Sequence, residues 1–159
     1  MSLRSLQEDD AEAVAALVRR AFAAQSVATD PPASALRLTA ADVRAHLAAG
    51  GGGSVAFMAG SVAASAMWSE QQGGLYVARL AVDPAWRRHG LARALLRAAE
   101  AAARSRLLPR LHLGTRLVLA DNRALFESCG FVEIARHAHP GYAEPTWAEF
   151  EKPVGPDAS

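Results

Sequence analysis

Apolar residues recur at helical spacing through Ala13, Val14, Leu17, Val18, Ala21 and Phe22, behind an acidic start at Glu8-Asp9-Asp10. This pattern predicts a first amphipathic helix, with a short strand before it in residues 1–6. Asp30-Pro31-Pro32 breaks the chain, and Thr39 is placed to cap a second, shorter helix carrying Val43 and Leu47. The four glycines at 50–53 end that helix as a connector. From 54 to 68 small apolar residues alternate about Gly60-Ser61, which predicts two antiparallel strands joined by a tight turn. A second turn at Gln71-Gln72-Gly73-Gly74 leads into a third strand over 75–82. A long helix over 89–106 then turns Leu91, Leu95, Leu96 and Ala99 inward. A strand over 111–117, a short helix over 121–128, and closing strands over 131–137 and 146–151 complete the order. The pattern is a mixed α/β domain with one right-handed crossover, whose parallel strands flank the long helix. One domain over residues 1–152 is expected, with 153–159 as a loosely held tail.

The junction between the third strand and the long helix holds the most specific signal. Leu80-Ala81-Val82-Asp83-Pro84 ends a strand, and Arg87-Arg88-His89-Gly90-Leu91-Ala92 then forms a basic turn that opens a helix. Helix-start N–H groups lack partners within the helix and sit at the positive end of its dipole, so they favour an anion. Neither a Gly-Lys-Ser/Thr phosphate loop nor a Gly-x-Gly-x-x-Gly dinucleotide fingerprint is present. The segment instead resembles the pyrophosphate turn of the GCN5-related N-acetyltransferase (GNAT) family: Arg or Gln, two residues, Gly, one residue, then Gly or Ala. Residues 87–92 match it without a gap. A second landmark follows in Asn122-Arg123-Ala124-Leu125-Phe126-Glu127-Ser128-Cys129-Gly130-Phe131, which resembles the family's short helix with an aromatic residue ahead of a Gly-Phe pair.

The resemblance implies a GNAT-like fold, a mostly antiparallel sheet of about six or seven strands flanked by about four helices. It also implies acyl-CoA held where the parallel strands separate. On that basis the N–H groups of Arg88, His89, Gly90, Leu91 and Ala92 face the pyrophosphate, and Arg87 and Arg93 add charge. Leu80, Ala81 and Val82 run beside the pantetheine arm, Asn122 hydrogen-bonds it, and Phe126 stands where many members carry tyrosine. That tyrosine is the usual proton donor to the leaving thiolate, and phenylalanine has no hydroxyl to give. Another acid must act, or water. Tyr142 is a candidate proton donor and His139 a candidate acceptor of the amine proton, both in the turn between the closing strands. Glu70 and Tyr76 lie where relatives often place an acceptor-side acid or water-ordering group, and Arg79 on the same strand is a candidate to meet an acidic substrate. His137 and His139 lack an evident third ligand for a metal, so none is expected.

Composition narrows the partners. A net charge of +1 argues against a nucleic-acid backbone as ligand. No apolar run reaches membrane-spanning length, and the acidic N-terminus does not resemble a secretory signal. The single cysteine, Cys129, offers neither a disulfide nor a zinc site. A cytoplasmic protein is expected, with a homodimer through the closing strands as a candidate assembly. The function so implied is transfer of acetyl from acetyl-CoA to a primary amine by direct attack through a tetrahedral intermediate, without a metal. Two alternatives stand beside it: a non-catalytic acetyl-CoA sensor, and a binder of nucleotide phosphates unrelated to CoA.

Overall fold

The computed structural model describes residues 1–25 and 27–156. Strands β1 (Ser2–Ser5), β2 (Gly52–Met58), β3 (Ser61–Gln71), β4 (Gly74–Val82), β5 (Arg110–Arg116), β6 (Val132–His137) and β7 (Trp147–Pro153) form one sheet in the order β1-β2-β3-β4-β5-β7-β6. All neighbours are antiparallel except β4 and β5. Helices α1 (Ala11–Ala23) and α2 (Ala40–Ala48) cover one face, while α3 (Leu91–Ser105) and α4 (Ala120–Ser128) pack with the other. Among the described residues, seven strands and four helices make an open, mostly antiparallel α/β sheet, as the sequence led one to expect.

Alternation along the strands divides the apolar residues between the two faces. Val55 and Met67 join Val14, Leu17, Val18 and Val43 beneath α1 and α2, whereas their neighbours Ala56 and Ala66 meet Leu91, Leu95 and Ala99 of α3. Each leucine fully buried in this way stabilises the fold by about 1.5–3 kcal/mol. The start of α2 is closed reciprocally. Thr39 Oγ1 accepts from the Asp42 N–H at 3.2 Å, and the Asp42 carboxylate accepts from the Thr39 N–H at 2.9 Å.

Two details differ from the sequence expectations. The β2–β3 turn is Ala59-Gly60, with φ of 51° and 79°, and Ser61 already pairs with Met58. Positive φ at both central residues lets such a turn follow the strand twist. The expected loose tail is also held further along: Pro153 pairs with Arg110, Val154 is buried with its N–H donating to Pro109 O at 2.8 Å, and Gly155 O accepts from Arg104 Nε at 3.2 Å. Residues 157–159 of that tail lie outside the described residues.

The sheet splits at the parallel pair β4 and β5. The β4–β5 ladder comprises Leu75 with Leu111 and Tyr76 with His112, and then stops. Beyond it β4 stays with β3 as far as Val82 opposite Ala64, and β5 stays with β7 as far as Arg116 opposite Trp147. A bulge re-aims β4 beside the gap. Ala78 pairs with Met67 and Ala81 with Ser65, so Arg79 and Leu80 together stand opposite Ala66, with Arg79 at a left-handed φ of 56°.

Candidate active site

At one end of the split, a hollow of about 510 Å³ opens between the start of α3, the end of β4 and the approach to α4. Asp83 shapes the turn that leads into it. Its carboxylate accepts from the Ala85 N–H at 2.9 Å and pairs with Arg20 of α1 at 2.8 Å; these contacts, the backbone one first, hold its pKa below the usual aspartate value. The chain then passes through left-handed Arg88 (φ 66°) and Gly90 (φ 75°) into α3. A Cβ at Gly90 would meet nothing within 4 Å, so glycine serves the conformation there rather than relieving a crowded contact. Gly90 offers no side-chain cap, which leaves the first N–H groups of α3 without an intrahelical partner.

Of the residues expected on this side, Leu80, Ala81, Val82, Arg87, Arg88, Gly90, Leu91, Ala92, Arg93 and Asn122 line the hollow. The His89 side chain does not. Its Nδ1–H donates back to the Arg87 carbonyl at 2.9 Å and stiffens the turn. Arg93 reaches across to α4, donating to Ser128 Oγ at 2.9 Å, so its charge is partly engaged. Phe126 is 5% exposed, its ring centroid 5.9 Å from that of Phe131 and 6.1 Å from that of Phe150, and it faces a second hollow.

That second hollow, about 410 Å³, continues through the split and shares Phe22, Gln25, Leu80, Leu119 and Asn122 with the first. Its floor is Tyr76, whose phenol pKa is raised by burial, and its sides carry Arg79, Thr115, Arg116, His139 and Trp147. His139 contacts Thr146 Oγ1 through Nδ1; desolvation, then Arg116, lowers its pKa and so favours the neutral imidazole. Tyr142 is not part of this lining. Its hydroxyl donates to Asp30 Oδ1, an interaction that raises the phenol pKa, and its ring meets His139 edge-on at 6.3 Å. The contact ties the β6–β7 connection to the α1–α2 connection. Glu70 stands apart, 3.7 Å from Arg106. His137 donates to Glu149 at 2.6 Å, and no group of three or more metal-ligating side chains occurs among the described residues.

Sequence reasoning missed Arg116 and the end of α1 as parts of this cleft. Arg116 was detectable through alternation, since His112, Gly114 and Arg116 share one face of β5, and polar groups on an inner strand's face need a reason. The contribution of Phe22 and Gln25 depends on where α1 ends relative to the split, for which the sequence carries no local signal.

The Acetyltransferase (GNAT) family model matches residues 12–131. No curated protein matches the chain by sequence. Among solved structures, the ribosomal-protein-S18-alanine N-acetyltransferase from Escherichia coli is 24% identical with a TM-score of 0.75, covering 99% of this chain and 96% of that one. The ribosomal-protein-alanine N-acetyltransferase from Brucella melitensis is 19% identical with a TM-score of 0.76, covering 97% of this chain and 100% of its own. The yncA protein of Salmonella typhimurium, solved with its cofactor acetyl-CoA, is 18% identical with a TM-score of 0.75, covering 100% of this chain and 96% of that one. With the matched region running from α1 through both landmark helices, this chain belongs to the GNAT acetyltransferase family.

Proposed function

We propose that the protein transfers acetyl from acetyl-CoA to a primary amine by direct attack, without a covalent enzyme intermediate. The observation that carries this reading is the continuity of the two hollows through the split between β4 and β5. An uncapped helix start lies at one end, and the His139 imidazole at the other. Acetyl-CoA supplies the activated thioester when bound. The N–H groups at residues 88–92 hold the pyrophosphate, supported by Arg87. Leu80 to Val82 and Asn122 align the pantetheine arm. Such positioning makes up a large part of catalysis, because it replaces a random encounter with a fixed approach.

His139 takes the proton that the amine must lose, and its lowered pKa favours the accepting form. Thr146 and the Tyr142 ring orient that imidazole. Tyr142 itself acts as a clasp, with its proton committed to Asp30. Phe126 lacks the usual hydroxyl and Tyr142 commits its own to Asp30, so the departing thiolate takes its proton from water. The same phenylalanine favours the second reading, a sensor that binds acetyl-CoA without turnover. Thiol release measured across a panel of amines, beside calorimetric CoA binding, separates them: amine-dependent release establishes the transferase, and CoA binding without release on any amine establishes the sensor.

A further inference from the structure

The acceptor hollow is lined by cationic side chains. Among the described residues, none of those lining it is Asp or Glu, while Arg79 and Arg116 both face it. Arg79 also borders a third hollow of about 520 Å³ between the 3₁₀ turn Ser34–Arg37, α2 and β3, and this hollow adds Arg37. Ser34, Tyr76, Ala78 and Arg79 belong to both spaces, so Arg79 stands at their junction. One carboxylate, Asp42, lines the third hollow, and it is committed to capping α2 through the Thr39 N–H at 2.9 Å.

Among the described residues Arg79 is half-buried and has neither a hydrogen bond nor an ion pair, although its guanidinium carries five donors. Arg116 uses one nitrogen on the Pro31 carbonyl. Burial disfavours the charge of both; for Arg79 the Tyr76 phenol and the Asp42 carboxylate nearby offset part of this, and the Arg37 charge opposes it again. A half-buried guanidinium with no carboxylate in direct contact is costly to keep. Its position is fixed by the bulge, where Arg79 takes a left-handed φ that asparagine or glycine would adopt more readily. Neither packing nor backbone preference accounts for an arginine here.

Resting on the acetyltransferase reading above, we propose that the acceptor is an amine bearing a carboxylate, and that Arg79 reads that carboxylate at the junction while the amine points to His139. A planar guanidinium and a carboxylate match as a two-point fork, which fixes orientation as well as affinity. Polycationic acceptors such as polyamines are excluded by the same charges. The carboxylate belongs either to a free amino acid or to an acidic residue near a peptide N-terminus, and the two sources share this recognition.

The test uses matched acceptors that differ only in acid against carboxamide: free amino acids with their amides, and short peptides with acidic or amidated side chains near the N-terminus. Thiol release gives kcat/KM, and calorimetry on the CoA-loaded protein gives binding without turnover. The acid is expected to exceed its amide at least about 10-fold in one of the two series, which identifies the source. Arg79→Asn, which suits the left-handed backbone, is expected to abolish that preference while leaving CoA binding within about two-fold; Arg79→Lys restores part of it. Equal rates on acid and amide, or a preference that survives Arg79→Asn, would overturn the proposal and leave the acetyltransferase intact. CoA binding with no release on any amine would overturn the acetyltransferase reading and this one with it.

Discussion

Substituting Ala92 by Glu separates folding from ligand binding within a single residue. Ala92 is the second residue of α3 and lines the hollow beside the unpartnered N–H groups. A carboxylate in the first turn suits the helix dipole, so the substitution is expected to stabilise the fold by about 0.3–1 kcal/mol or leave it unchanged. The same carboxylate opposes a pyrophosphate seated there. Two negative charges about 5 Å from it cost about 2 kcal/mol at the dielectric constant of water, and about 7 kcal/mol at the value of about 20 that suits a protein surface. CoA affinity should therefore fall at least about 20-fold. Calorimetric titration with CoA, beside a thermal melt of the free protein, measures both quantities. A melting temperature preserved together with an unchanged CoA affinity would refute the placement of the pyrophosphate at the start of α3.

Three further outcomes follow from other parts of the molecule. The pH profile of kcat/KM should carry an acid limb below the ordinary imidazole value of about 6.5, and His139→Gln should remove that limb and cost about 100-fold in rate; an unchanged profile in the variant would exclude His139 as base. Ser65 is fully buried and its Oγ has no partner among the described residues, so Ser65→Ala should raise stability by about 1 kcal/mol, read as a higher melting temperature. A lower melting temperature would show that the hydroxyl is bonded. The pKa of Asp10 is lowered, first by its contacts at 2.7 and 2.8 Å with the Arg4 guanidinium and then by the Gln7 N–H. Its contribution is thus present above about pH 3.9 and lost as the pH falls through the lowered folded-state value. Asp10→Asn should be less stable at pH 7 and lose less over that acid range in denaturant titrations; parallel curves would contradict the linkage.

The features legible in the sequence were those written by local chemistry. Thr39 with Asp42 closes α2 as a reciprocal cap, and Leu91, Leu95, Leu96 and Ala99 bury the face of α3 that their spacing indicates. What escaped was set by distant parts of the chain. Nothing about an arginine announces a left-handed φ, so the bulge at Arg79 was invisible although it lies in a correctly bounded strand. The Tyr142–Asp30 contact joins residues 112 positions apart, and without it Tyr142 reads as a free phenol. Proline and glycine at 153–156 suggested a loose tail, whereas Pro153 on the last strand and Val154 in the core depend on the Pro109 and Arg110 backbone across the sheet. Alternation alone pointed towards Arg116, and its meaning waited on the split that exposes that face.

The helix start at Gly90 presents peptide N–H groups, and a peptide N–H is the same whichever residue carries it. On the proposed arrangement the donor half of the site is written in main chain, while the acceptor half is written in the side chains of Arg79, Arg116 and His139. Mutation acts on the two halves unequally. A coding change at 88 or 91 that keeps the turn's shape leaves the donor grip in place, whereas a single change at 79 alters which amine is accepted. Descendants of such a gene can exchange one substrate for another by a few substitutions around the second hollow, inheriting the fold and its cosubstrate unchanged.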